Sequence, residues 1–436
     1  METRSPASGR PRAARAPRET RAVARRRVPR PRTERYSASP GLTSHRAMRV
    51  RAVIVAAILV ALAPAGSADA SRLVRFTTHS RYVNGADPNI PFNTVHRAGL
   101  PSARSLPVNV LLPDAYNGKR RFPVLYLLHG HGDTYDSWMD PKNGDLAHLA
   151  AGLPAIVVMP EGGRGWYTNW WNGGRRGNPA WERYHLDELI PLISRKFRIK
   201  SGRRWHAIAG LSMGGEGAMF YAEQRPGYFG SVASFSGVLS IQRPEWPDGF
   251  NTQGENYQDV YGDPNAQSFY WQGHNPVALV DNLRHTRAFV AVGDGTTTNP
   301  SEADNTFGQV AEAELRQHAN DFVNAARAAG VDVTYEPRHG IHDWPYWRQH
   351  LTDAMHWGLW GKVVSHSSAW TYSTVAAHSR AWGFTFTFPK APAAFETFKL
   401  SGKRLTGTGA GTVRIRTPRG RVLTRKLPFS VNLPKR

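Results

Sequence analysis

Gly210-Leu211-Ser212-Met213-Gly214 narrows the folds open to this chain more than any other stretch. An apolar run, Trp205 to Ala209, precedes it, and the small residues of Gly214-Gly215-Glu216-Gly217-Ala218-Met219 follow. A strand that ends in a sharp turn and continues as a helix needs small residues on both sides, and a serine at the apex is then pushed hydroxyl-first into a cleft. The five residues alone also fit a glycine-rich turn. It is the strand before them and the helix after them that make Ser212 the expected nucleophile.

The flanking sequence supplies the layers such a turn requires. Short apolar runs at Val108–Leu112, Val124–His129, Ala155–Met159, Trp205–Ala209, Gly230–Phe235, Ala288–Val292 and Val331–Glu336 predict strands. Helical patterns at Trp181–Lys196, Ser212–Arg225, Gln309–Ala329 and Tyr346–Trp360 alternate with them. Such alternation predicts an α/β layered domain with a mostly parallel central sheet, here placed at residues 71–365. Beyond it, Trp382-Gly-Phe-Thr-Phe-Thr-Phe, Phe395–Leu400, Thr412–Thr417 and Leu423–Val431 alternate apolar and polar positions between Gly/Pro turns. Period-two alternation predicts a small all-β accessory unit over residues 366–436.

Charge separates the same regions. Residues 1–70 carry 15 Lys+Arg against 4 Asp+Glu, residues 71–365 carry 28 of each, and residues 366–436 carry 13 against 1. The overall net charge of +23 therefore belongs to the two ends, and says nothing about what the central body acts on. Residues 1–47 are Arg-, Pro- and Ala-rich without an apolar period, a composition that cannot bury a core; they are expected to be disordered or untranslated. Met48-Arg49-Val50-Arg51, the apolar Ala52–Ala63 and the small residues of Ala68-Asp69-Ala70 form the basic, apolar and cleavage regions of a secretory signal at 48–70. The apolar run falls short of the ~20 residues that span a bilayer, so no transmembrane segment is expected in the mature chain. The absence of cysteine removes disulfides, thiol nucleophiles and Cys-ligated metals.

A serine hydroxyl needs a base within hydrogen-bond reach and an acid to orient that base. Where the nucleophile sits on such an elbow, the acid and then the histidine follow it in the chain. His342, in Gly340-Ile-His-Asp-Trp-Pro-Tyr-Trp, stands in a loop after the last predicted strand and before a helix, with His339 as its nearest rival. Asp294, Asp304, Glu312 and Glu314 all fall in the window for the acid, and spacing does not separate them. The developing oxyanion needs backbone N–H donors. The amide of Met213 is one candidate, and the amide of His131, in His129-Gly-His-Gly-Asp, is the other. The two histidines of that loop lack a third ligand or a metal-binding spacing, so neither metal nor cofactor is expected. Aromatics from Trp166 to Trp171 and at Trp344 and Trp347 are candidates to line the cleft, with Trp171 and Trp344 named as substrate-binding residues.

Residues from about 100 to 362 resemble the esterase D-like α/β-hydrolases, and among them the antigen-85 type mycolyltransferases and related esterases. Four segments carry the resemblance: Leu127-Leu-His-Gly-His-Gly-Asp, Ile156-Val-Val-Met-Pro-Glu-Gly-Gly with Tyr167 to Trp171 after it, Gly210-Leu-Ser-Met-Gly-Gly, and Gly340-Ile-His-Asp-Trp-Pro-Tyr-Trp. The resemblance implies the α/β-hydrolase fold. It also implies a triad glutamate about ten residues before a phenylalanine on the helix preceding the last strand, which falls on Glu312 before Phe322, and it places the second oxyanion donor at His131. The mycolyltransferases carry a leucine-arginine pair where this chain has His131-Gly132. The resemblance therefore carries acyl-ester hydrolysis or transfer rather than trehalose mycolate chemistry.

The resulting expectation is a secreted or cell-wall associated serine esterase acting on acyl esters through a Ser-His-Glu triad. An acyltransferase of mycolyltransferase type with a sugar or glycerol acceptor is the first alternative, and a non-catalytic envelope-binding protein the second. The basic C-terminal unit is expected to meet an anionic cell-wall polymer, and no nucleic-acid partner is expected of an exported chain.

Overall fold

The computed structural model describes residues 72–83, 105–171, 180–252 and 256–434. The leader and the expected export signal lie outside the described residues.

Eight strands form the central sheet: β1 (Arg72–His79), β2 (Ser105–Leu112), β3 (Val124–Leu128), β4 (Ile156–Pro160), β5 (His206–Leu211), β6 (Ser231–Phe235), β7 (Arg287–Val292) and β8 (Val333–Pro337). Their spatial order is β1-β2-β4-β3-β5-β6-β7-β8. From β4 to β8 every pairing is parallel, while β2 runs antiparallel to both β1 and β4. The continuous apolar runs have a direct cause, since β3, β4 and β6 are buried along their whole length. Successive residues of β3 serve opposite layers: Val124, Tyr126 and Leu128 enter one core, and Leu125 and Leu127 the other. A strand covered by helices on both faces cannot alternate apolar with polar.

Three long helices matter for the site: α1 (Met213–Gln224), α2 (Thr306–Ala328) and α3 (Trp344–Trp357). α1 and α2 supply residues to the first core and α3 to the second. The predicted helix at Trp181–Lys196 is instead three pieces, with a π-helical turn at Tyr184–Leu189 between Trp181–Arg183 and Ile190–Lys196. Pro191, just past the wide turn, has no N–H with which to continue an α-helical ladder.

The C-terminal part is a sandwich of two four-stranded antiparallel sheets, one built from β9 (Ala369–Thr374), β12 (Glu396–Ser401), β13 (Arg404–Thr408) and β16 (Phe429–Asn432). The other contains β10 (His378–Ala381), β11 (Phe384–Thr387), β14 (Thr412–Arg416) and β15 (Val422–Lys426). Phe386 and Phe398 stack across the sandwich at 4.2 Å, at the centre of a core that includes Trp370, Tyr372, Leu405 and Ile415. The sandwich is bonded to the α/β body by buried polar side chains. Asn282 donates to the carbonyls of Glu223 and Ser373 and accepts the Ser373 amide (2.8 Å), while Gln224 Oε1 accepts from the Tyr372 and Thr374 hydroxyls.

Candidate active site

β5 ends at Leu211 and α1 begins at Met213, so Ser212 alone makes the turn, with φ 52° and ψ −121°. A non-glycine residue in that region is strained and is held only because its surroundings fix it. The two glycines of the motif explain how it is held. A Cβ on Gly210 would lie 2.2 Å from the Gly214 carbonyl oxygen, and one on Gly214 would lie 2.5 Å from that of His129. Strand and helix can cross this closely only without side chains.

The geometry then gathers three parts of the chain. Ser212 Oγ lies 2.9 Å from His342 Nε2, and His342 Nδ1 lies 2.7 Å from Glu312 Oε2. With Nδ1–H donating to the carboxylate, Nε2 carries a lone pair that faces the serine hydroxyl. His342 is placed by the loop between β8 and α3: its amide donates to the Gly308 carbonyl (2.9 Å), and its neighbour Asp343 caps α3. Glu312 comes from α2, where it is fully buried in line with Gly308, Leu315, Ala319 and Phe322.

Such a carboxylate would be costly unless hydrogen-bonded. Its Oε1 accepts the Ser236 hydroxyl and the Gly293 amide, both at 2.6 Å, so each oxygen is used. Burial pushes the Glu312 carboxyl up, but the bond and charge of His342, with the Ser236 and Gly293 donors, outweigh it and hold it below the usual glutamate value. Trp347 extends the chain of bonds, donating Nε1–H to Ser236 Oγ (3.2 Å) and standing edge-on to the His342 ring at 4.9 Å. Ser236 and Gly293 were not anticipated from the sequence.

The other carboxylates considered lie elsewhere. Asp294 pairs with His339 at 2.7 Å and accepts from Thr296. Glu314, half-buried, borders the cleft, and burial raises its carboxyl pKa. Asp304 is exposed.

A cleft of about 650 Å³ opens over Ser212 and His342. Gly130, His131 and Asp133 border it on one side; Trp166, Val238, Trp246, Phe307, Val310 and Trp344 supply apolar walls. Phe307 and Val310 are each 63% exposed, unusual for large apolar side chains on the first turns of a helix. Asp133 Oδ2 accepts the Gly130 amide (3.2 Å), which fixes the loop that carries His131, and Arg164 donates to His131 Nε2 (2.9 Å). Met213 is the first residue of α1, where amides have no partner within the helix. Trp344 thus borders this cleft, whereas Trp171 does not: it packs edge-on against Phe269 and Tyr270 and borders a separate cavity. Among the described residues no three His, Cys, Asp or Glu side chains group as a metal site.

A mostly parallel sheet with a strained serine between strand and helix, and a histidine and buried carboxylate behind it, defines an α/β-hydrolase. The family model described as "Putative esterase" matches residues 102–357, more than half of the chain, and the chain belongs to that family. It is 36% identical to the Mycobacterium tuberculosis esterase Rv1288 over 235 residues, which are 51% of this chain and 49% of that one. It is 29% identical to the diacylglycerol acyltransferase/mycolyltransferase Ag85C of Mycobacterium avium over 245 residues, covering 52% and 67% of the two chains. The chain spans about half the length of the first of these relatives. In three dimensions it matches an S-formylglutathione hydrolase from Agrobacterium tumefaciens with a TM-score of 0.51 at 18% identity, over 67% of this chain and 96% of that one, a likeness of fold.

Proposed function

We propose that the protein cleaves acyl esters through an acyl-enzyme on Ser212. The observation that carries this is the continuous set of bonds from Ser212 through His342 to Glu312, closed behind by Ser236 and Gly293. Ser212 Oγ attacks the ester carbonyl while His342 Nε2 takes its proton; the imidazolium so formed is stabilised by Glu312. The tetrahedral oxyanion is held by the amides of Met213 and His131, the first aided by the positive end of α1. Its collapse expels the alcohol, which receives the proton from His342. Water or an acceptor alcohol, deprotonated by His342, then attacks the acyl-serine and releases Ser212.

The acyl group lies along the apolar walls of the cleft, with Trp344 among its contacts. Acyl transfer is the second reading, favoured by the similarity to an acyltransferase; it uses the same residues and differs in what enters second. The export signal at 48–70 supports a secreted location. On the sandwich, Arg414 and Arg416 alternate outward from the buried Val413 and Ile415, which supports contact with an anionic wall polymer. Among the described residues no helix is long and apolar enough to cross a membrane.

Ser212→Ala tests the assignment. Turnover of a short-chain aryl ester should fall to background with the fold unchanged, and undiminished turnover would contradict it. A glycerol or sugar acceptor added to the wild-type reaction separates the two readings by whether acylated acceptor or free acid accumulates.

A further inference from the structure

A second cavity, of about 330 Å³, lies where the β-sandwich meets the α/β body. Gln224, the last residue of α1, borders it, and at about 1.5 Å of rise per residue this end of α1 is roughly 18 Å from Ser212. It is therefore a different place from the cleft over the triad. Residues Thr374 to His378 of the sandwich close one side, so the cavity exists only because the sandwich docks.

Its lining combines aromatic faces with polar atoms left over from the protein's own bonding. Trp171, 41% exposed, stands edge-on to Tyr270 at 5.1 Å, and Phe220 borders the same space. Gln224 is 1% exposed; its Oε1 accepts from Tyr372 and Thr374, which leaves its Nε2 donor without a partner among the described residues. His274 is 3% exposed; its Nδ1–H donates to the Tyr270 carbonyl (2.7 Å), which leaves Nε2 as an acceptor without a partner among the described residues. Glu182 accepts one bond, from Asn169 Nδ2 (2.5 Å), on one of its two oxygens. A donor and acceptors that the protein's own bonds leave over around one cavity suit a ligand with hydroxyls of its own. Two cations and two carboxylates border the cavity: Asp187 pairs with Arg225 at 2.7 Å and with Arg183 at 3.7 Å, and Glu182 is the second carboxylate. Charges of the two signs are thus equal in number around the cavity, which leaves no net charge to select an ionic ligand.

We propose that this cavity binds a neutral sugar ring, with an aromatic face against its C–H surface and Gln224, His274 and Glu182 on its hydroxyls. The volume is at the lower end of the roughly 300–1,000 Å³ of small-molecule sites, which suits a single hexose or pentose ring. The sandwich then serves as one wall of a carbohydrate subsite, remote from the nucleophile.

The test is isothermal titration of the full chain with D-glucose, D-galactose, D-xylose and, as a charged control, D-glucuronate. At least one neutral sugar should bind saturably and D-glucuronate should not. Trp171→Ala, at an exposed side chain that tolerates truncation, should weaken binding about tenfold or more, a change of about 1.4 kcal/mol. Ala377→Trp, at an exposed sandwich residue beside the cavity, should abolish binding by filling the space. A β-linked oligomer of the preferred sugar binding more tightly than the monomer identifies a polysaccharide as the source; equal affinity identifies the free sugar. Absence of saturable binding by all three neutral sugars, or binding that survives both substitutions, would overturn the proposal.

Discussion

Two carboxylate–histidine pairs take their histidines from the loop after β8, and both measure 2.7 Å. Glu312–His342 is closed off from water, with side-chain exposures of 0% and 9%; Asp294–His339 is open, at 25% and 77%. At Asp294, burial pushes the carboxyl up, but the Thr296 and His339 bonds outweigh it and hold it at about 2. By distance alone the pairs are equivalent. What separates them is the second face of the histidine: His342 Nε2 meets Ser212, whereas His339 presents its free side to solvent. An exposed ion pair of this kind contributes about 0–1 kcal/mol, while a buried one fixes a tautomer and an orientation. Burial and a third partner, rather than the contact, make a pair part of a relay.

The largest difference between the pairs should come from their histidines. His342→Ala should lower kcat for an aryl ester by roughly 10⁵- to 10⁶-fold, the scale seen when the base of such a triad is removed. Ser236→Ala takes one of two donors from Glu312 Oε1 without touching the reacting atoms. Losing a hydrogen bond to a charged group costs about 1.5–3 kcal/mol, so kcat should fall roughly tenfold to a hundredfold with KM little changed. A larger rise in KM than fall in kcat would place Ser236 in substrate binding instead.

Smaller effects should appear in stability, where two buried glutamates run in opposite directions with pH. The carboxyl of Glu312 is held low, so its stabilisation is present above the ordinary glutamate pKa of about 4.3 and is lost as pH falls through its lower folded value. Burial, only partly offset by the Arg225 and Arg183 charges, pushes Glu182 up to about 7. Its contribution is therefore complete below about 4.3 and lost as pH rises through about 7. Urea unfolding from about pH 8 down to about pH 3 should show wild type losing ground to Glu182→Gln as pH rises through about 7, whereas against Glu312→Gln it loses ground only as pH falls below about 4.3. Parallel slopes would contradict the difference in partners. The smallest effect belongs to the exposed pair: His339→Ala should leave kcat/KM within about twofold and stability within about 1 kcal/mol.

The sequence carried the fold where burial on both faces imposed long apolar runs, as in β3 to β7. It was silent where the pattern is mixed. β1 is an edge strand with only Thr78 fully buried, so no apolar run marks it. In the sandwich, β9, β10 and β13 were not anticipated, and Leu423–Val431 proved to be two strands in different sheets, parted at Pro428, which has no N–H for a ladder. Local context alone singled out Ser212 and His342, two side chains that the fold brings to 2.9 Å of each other. Spacing did not separate the candidate carboxylates, yet α2 holds a signal for the one that meets His342: Glu312 sits on the buried stripe of Gly308, Leu315, Ala319, Phe322 and Ala326, where an apolar residue belongs, and Glu314 does not. Ser236 and Gly293 become neighbours of Glu312 only through the order of β6 and β7, which no local pattern states. The sequence groups Trp171 with Trp166, Tyr167 and Trp170 as cleft candidates, but of these Trp166 alone borders the cleft, and Trp171 turns with Trp170 to a different cavity.

The central claim is that Glu312, and not Asp294, orients the base. Glu312→Gln and Asp294→Asn, assayed side by side for kcat/KM on one short-chain aryl ester at neutral pH, test it most directly. The structure predicts a loss of roughly 10³- to 10⁴-fold for Glu312→Gln, in the range of an amide replacing a triad carboxylate, and less than about threefold for Asp294→Asn. A large loss for Asp294→Asn with Glu312→Gln near wild type would contradict it.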